Sequence, residues 1–299
     1  MTPGHSVCPL CGNQEIKPMM ICRDNLTGGE LFEIYLCTVC RLEFLKEYPD
    51  EKTIEKYYIS PEYISHNDDK KSFTAKIYYA VRKFMLSRKR SLVRKVTGLK
   101  RGSILDIGSG TGHFAGFMKR SGWDCEGVEK SLKATQYSVT GNNIRVYQPE
   151  EILSLPGNSF DCITMWHVLE HLYNPEETLS QVKRLLKPGA PAVIALPNNI
   201  SFDSIHYRNH WAARDVPRHI WHFNPVSFIY LAAKSGFDIL EMKRLPFDVF
   251  YISVLSEKSR GSRFPFLAGM IKGFVFFILS LFDVTRSSSV VYIIRPKSS

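Results

Sequence analysis

The stretch Ser103-Ile-Leu-Asp106-Ile-Gly108-Ser109-Gly110-Thr-Gly112 decides the fold of this 299-residue chain. Residues 103–107 form a short apolar run interrupted by one carboxylate, Asp106, and the run breaks into glycine at every second position. That pattern is a buried strand entering a Gly-rich turn. Phe114, Phe117 and Met118 follow at helical spacing, so the turn lies where backbone N–H groups and a helix N-terminus face a ligand. Outward from it, strands are expected at 123–129, 144–147, 160–165 and 192–196, and helices at 132–139 and before the stop signal Lys187-Pro188-Gly189. Two further strands are expected at 236–242 and 290–294. Strands alternating with helices at this spacing predict an α/β fold with a doubly wound, largely parallel sheet.

Two ligand classes use such a turn. The dinucleotide fingerprint needs glycine at 113, where the chain has His113. What the residues do match is D-x-G-x-G-x-G, and in this the chain resembles the class I S-adenosylmethionine-dependent methyltransferases. The resemblance implies a seven-stranded Rossmann-like sheet over 101–299, with the last strand inserted antiparallel. It implies a methionine pocket at Asp106, Gly108, Ser109, Gly110 and Gly112, and a carboxylate on the ribose hydroxyls at Glu129. Relatives carry an acidic residue after the third strand for the adenine amino group; this chain has Gln148, with Glu150 and Glu151 nearby. Trp166, ending the fourth strand, joins the expected cofactor wall.

Ahead of this domain stand Cys8-Pro-Leu-Cys11 and Cys37-Thr-Val-Cys40. Two C-x-x-C knuckles bring four thiolates to one ion, so residues 1–47 are expected to form a zinc ribbon whose Zn2+ is structural, because four thiolates leave no open position. Cys22, Cys125 and Cys162 read as core residues. The hydrophobic content of 44% suits a globular chain with a substantial core, and the net charge of +10 suits anionic partners. The N-terminus shows no basic start followed by an apolar run, so the expected location is the cytoplasm, with the inner membrane face open as a peripheral site.

Residues 48–100 read as a linker rich in tyrosine (Tyr57, Tyr58, Tyr63) followed by an amphipathic helix over 76–95. From Arg82 to Arg101 there are nine basic residues and no acidic one. An anionic membrane surface or phosphate contact and a plain solvated face both fit this helix. A hydrophobic insertion at 246–288 holds the apolar run 264–282. A helical hairpin is expected there, covering the site, dipping into a membrane interface, meeting a second copy or simply packing in the core.

The chemistry is expected at the carboxyl ends of the strands. Trp166-His167-Val-Leu-Glu170-His171 is expected to open a helix with His167, Glu170 and His171 on one face. There a histidine serves as general base toward an attacking hydroxyl, or the face holds a divalent ion such as Mg2+, or Glu170 and His171 merely support the pocket. The segment is similar to the E-x-x-E-H of metal-dependent quinone and small-RNA O-methyltransferases, with His167 in place of the first glutamate. A second cluster holds His206, His210, Trp211, Asp215, Arg218, His219, Trp221 and His222. In it Arg218 suits an acceptor carboxylate or phosphate and His219 is an alternative base. The expected activity is O-methylation of a small molecule, glycan or lipid-linked glycan. RNA methylation, sugar C-methylation and a non-catalytic scaffold are the alternatives, with nucleic acid less favoured as a partner.

Overall fold

The computed structural model describes residues 4–58 and 73–297. Tyr63 and the rest of 59–72 lie outside the described residues. The elements in chain order are β1 (Ile16–Arg23), β2 (Leu31–Cys37), β3 (Glu43–Leu45), α1 (Phe73–Thr97), β4 (Ser103–Ile107), α2 (His113–Arg120), β5 (Asp124–Val128), α3 (Leu132–Asn142) and β6 (Arg145–Tyr147). There follow β7 (Cys162–Trp166), α4 (Pro175–Leu185), β8 (Ala192–Pro197), α5 (Phe202–Tyr207), β9 (Trp221–His222), α6 (Pro225–Lys234), β10 (Phe237–Arg244), α7 (Asp248–Ser259), α8 (Pro265–Phe282) and β11 (Ser289–Pro296).

Seven strands form one sheet in the order β10-β11-β8-β7-β4-β5-β6. β11 runs antiparallel to both β10 and β8, while the β8-β7-β4-β5-β6 pairings are all parallel. The strands alternate apolar residues between two covered faces, as a doubly wound sheet requires. Ile104, Cys125, Cys162, Val193 and Val291 pack toward Val93 of α1 and Phe114 and Met118 of α2. Leu105, Ile163, Ile194 and Tyr292 face the other side, toward Leu179 and Val182 of α4 and Phe228 and Leu231 of α6.

The cysteine module sits on this second face. Cys8, Leu10, Cys22 and Ile34 share one core cluster with Leu105 and Phe228. Its sheet runs β1-β2-β3-β9, so the catalytic region supplies the fourth strand through Glu43↔His222 and Phe44↔Trp221. Residue 47 is therefore not where the ribbon ends as a folded unit. The insertion forms the expected hairpin of two helices, α7 and α8, between β10 and β11.

Candidate active site

β4 delivers Asp106 into the sheet, where it is 2% exposed and its Oδ1 accepts from Thr164 Oγ1 at 2.6 Å. Burial pushes its carboxyl up to about 6, against the pull of the Thr164 bond and of Lys89. The turn beyond is left-handed at each glycine, with φ of 70° at Gly108, 53° at Gly110 and 74° at Gly112. A Cβ on Gly108 would meet Val168 Cγ2 at 2.3 Å, and one on Gly112 would meet Ser138 Oγ at 2.2 Å, so close approach demands both. Gly110 instead faces open space, with nothing within 4 Å of an added Cβ.

Glu129 follows β5 directly and stands over the turn. Its Oε2 accepts from Gly110 N and its Oε1 from Ser131 N, each at 2.8 Å. Gln148 lies next to it, since Glu129 N donates to Tyr147 O at 3.0 Å. Ser109 Oγ and Trp166 Nε1 are buried without a hydrogen-bond partner. The Trp166 ring meets Phe114 edge-on and carries Lys89 Nζ 4.0 Å above its centroid. An open glycine face, a two-oxygen acceptor and unpaired buried donors fit the polar amino-acid and ribose ends of S-adenosylmethionine.

The second half of the site begins where β7 ends. His167 takes φ +60°, a left-handed conformation uncommon outside glycine, and two carboxylates clamp it. Asp248 Oδ2 lies 2.8 Å from Nε2 and Glu170 Oε1 lies 3.4 Å from Nδ1. Burial alone would lower this imidazole, but Asp248 and Glu170 raise it to about 10, so it stays protonated. Residues Leu169–His171 form a single 3₁₀ turn and not the expected helix start; α4 begins only at Pro175. His167 and His171 consequently diverge.

His171 turns toward the segment after β8. Its Nδ1 lies 3.1 Å from Arg218 O and 3.2 Å from Tyr58 Oη, and its ring meets His219 edge-on at 4.4 Å between centroids. Burial, aided by His219, pushes His171 down to about 4, which leaves it neutral. Glu170 is 1% exposed, and neither carboxylate oxygen has a well-aligned hydrogen bond. Burial works to raise this carboxyl, but the protonated His167, 3.4 Å from Oε1, holds it below its usual range. Ligand atoms of Glu170, His171 and His219 all lie within 4.8 Å of one another.

Arg218 is not aimed at an acceptor. It is 1% exposed and its donors are spent inside the protein: Nε and Nη2 on Asp215 Oδ1 at 2.9 and 2.8 Å, Nη2 on Asp24 Oδ1 at 3.0 Å, and Nη1 on Tyr57 O at 2.9 Å. A buried arginine with every face engaged has nothing left for a ligand. It ties the ribbon to the segment that carries His219. Of its neighbours, His219 Nδ1 lies 2.9 Å from Ala213 O, His222 is buried in the ribbon sheet, and His206 and His210 lie elsewhere, near α7. Sequence reading missed Asp248, Tyr58 and Lys89, which reach the site from separate elements.

Cys8, Cys11, Cys37 and Cys40 converge within 4.8 Å, with Cys8 and Cys40 Sγ 3.5 Å apart and Cys11 and Cys37 likewise. A tetrahedral zinc with Zn–S of about 2.3 Å spaces its sulfurs by about 3.8 Å. The four thiols therefore fit that ion.

Residues 81–242, more than half of the chain, match the family described as Methyltransferase domain, and the chain belongs to that family. It is an S-adenosylmethionine-dependent methyltransferase. A ubiquinone biosynthesis O-methyltransferase of Rickettsia canadensis is 22% identical over 215 residues, covering 67% of this chain and 88% of that protein. A second such protein, from Alkalilimnicola ehrlichii, is 31% identical over 111 residues, covering 34% of this chain and 44% of that one. Among solved structures, a putative sarcosine dimethylglycine methyltransferase from Galdieria sulphuraria superimposes with a TM-score of 0.50 at 18% identity, covering 73% of this chain and 86% of that one. The cyclase SpnF superimposes equally well, with a TM-score of 0.50 at 17% identity over 71% of this chain and 81% of that one. The fold thus fixes the sheet and not the reaction.

Proposed function

We propose that the chain methylates a hydroxyl oxygen of a small-molecule or glycan acceptor, with Glu170, His171 and His219 around the hydroxyl. The observation that carries this reading is their convergence beside a neutral His171. With Nδ1–H donating to Arg218 O, Nε2 keeps its lone pair and accepts the hydroxyl proton as the oxygen attacks the methyl carbon. The C–S bond breaks in line and S-adenosylhomocysteine leaves. Since the sulfonium departs readily, positioning and proton removal are what the residues add. Asp106, Ser109, the three glycines, Glu129, Gln148 and Trp166 hold the cofactor. His167, clamped and protonated, is a poor base and instead fixes Glu170. The O-methyltransferases among the relatives support an oxygen acceptor. Cys8, Cys11, Cys37 and Cys40 hold a structural zinc.

The buried carboxylate of Glu170, with two imidazoles beside it, favours a second reading of the same cluster. A carboxylate and two imidazoles are a fitting donor set for a divalent ion, which Glu170, His171 and His219 would hold. Such an ion would acidify a hydroxyl by Lewis-acid polarisation. A test of both is methyl transfer from labelled S-adenosylmethionine to a panel of phenolic, catecholic and sugar hydroxyls. The proton-acceptor reading predicts an acid limb in kcat/KM near about 4 that His171→Asn abolishes, with no dependence of the zinc-loaded enzyme on added Mg2+. Turnover of the zinc-loaded enzyme that requires added Mg2+ would favour the second reading, and methylated carbon or RNA as the product would overturn both.

A further inference from the structure

The hairpin packs in a way water does not favour. The side of α8 buried against its neighbours carries Gly269, Gly273 and Ser280 along with Phe276. A Cβ on Gly269 would meet Val254 Cα at 2.5 Å and one on Gly273 would meet Phe250 Cα at 3.0 Å, so the two helix backbones touch through glycines four residues apart. The large apolar side chains point outward: Phe266 is 70% exposed, Ile271 58%, Phe274 57% and Phe282 86%. Over Pro265–Phe282 the mean hydropathy is 2.0, yet only 22% of the window is buried. A helix on a globular core does the reverse, burying its large apolar stripe. Small residues between helices and large ones outside are the arrangement of helices in hydrocarbon, and monomers rarely expose so large an apolar patch to water.

A single crossing of the bilayer is ruled out by topology, and a double crossing by the length of α7, whose 12 residues span only about 18 Å. β10 enters the hairpin and β11 leaves it, and the two strands pair at Arg244↔Val290, so both ends of the hairpin return to one edge of the sheet. The polar surroundings are cationic. The α7–α8 turn carries Lys258, Arg260 and Arg263 with no acidic residue from 258 to 263. Beside it a cleft of about 540 Å³ is lined by His206, Arg208, His210 and Arg260, with no carboxylate in its lining. The basic helix α1 flanks the other end, where Phe84 meets Phe247 edge-on at 5.6 Å.

We propose that the outer face of α8, together with this basic turn and cleft, docks the protein on an anionic lipid bilayer as a monotopic hairpin. The apolar face enters the acyl boundary, and Arg260 and its neighbours meet the phosphate head groups. Asp248, the first residue of α7, holds His167, so docking sets the catalytic centre beside the lipid surface.

Flotation of the full-length protein with phosphatidylglycerol–phosphatidylcholine vesicles tests this, with pure phosphatidylcholine vesicles as the comparison. The wild type is expected to float with the anionic vesicles and to be released by salt. Ile271→Ser with Phe274→Ser should lower the bound fraction about tenfold. Arg260→Glu with Arg263→Glu should lower it several-fold, and both variants should bind S-adenosylhomocysteine as the wild type does, which verifies their folding. Undiminished flotation of the Ile271/Phe274 variant would overturn the proposal. So would a wild type that ignores vesicles and sediments as a dimer that the same substitutions dissociate.

Discussion

The two halves of the site are built differently. The proposed cofactor half hangs from one sheet: Asp106, the glycine turn and Glu129 lie on or directly after the adjacent strands β4 and β5, within 24 residues of sequence. The proposed acceptor half is assembled from four distant places: the 3₁₀ turn Leu169–His171, the segment holding Arg218 and His219, Tyr58 ahead of α1, and Asp248 of the hairpin. Its alignment passes through the ribbon, because Arg218 O faces His171 while the Arg218 guanidinium is held by Asp24 and Tyr57 O. The comparison teaches that cofactor binding and methyl transfer are separable: damage to the ribbon should spare the first and disable the second.

Removal of the proposed structural zinc is the strongest way to break that separation. Structural zinc in small modules contributes on the order of 10 kcal/mol to folding. Chelation should therefore melt the ribbon and abolish methyl transfer, while calorimetry shows the S-adenosylhomocysteine affinity reduced less than about tenfold. Equal loss of both would refute the division. His171→Asn sharpens it within the acceptor half, with kcat expected to fall about 10²- to 10⁴-fold at unchanged cofactor affinity.

Asp24→Asn probes the tie itself. Leaving Arg218 short of a buried partner should cost about 3 kcal/mol, seen in denaturant unfolding, with turnover falling more than cofactor binding. On the other side, Glu129→Ala should weaken cofactor binding by about 1.5–3 kcal/mol without altering the melting of the ribbon.

A further effect concerns pH. His167 has its folded value raised to about 10 by Asp248 and Glu170 against burial. Its contribution to stability is therefore complete below its ordinary value of about 6.5 and is lost as the pH rises toward about 10. Thermal melting across that window should decline, and Asp248→Asn should flatten the decline.

The same division governs what the sequence reveals. The left-handed turn after Asp106 and the place of Glu129 beside it were legible because the turn demands glycine at fixed spacing and the next strand ends next to it. The cysteine ribbon was legible for a similar reason, since two knuckles carry their own spacing rule. Asp248, Tyr58 and Lys89 left no local signal, because their partners lie 81, 113 and 77 residues away in His167, His171 and Trp166. Arg218 misled for the opposite reason. An arginine just ahead of His219 and His222 suggests an anion site, yet a charged side chain buried to this degree must find its partners inside, and Asp24, Asp215 and Tyr57 O supply them.

The most direct test of the account is the crystal structure of the S-adenosylhomocysteine complex. The account predicts the ribose hydroxyls on Glu129 and the sulfur aimed across an acceptor-sized gap at Glu170, His171 and His219. A sulfur directed away from that cluster would contradict it.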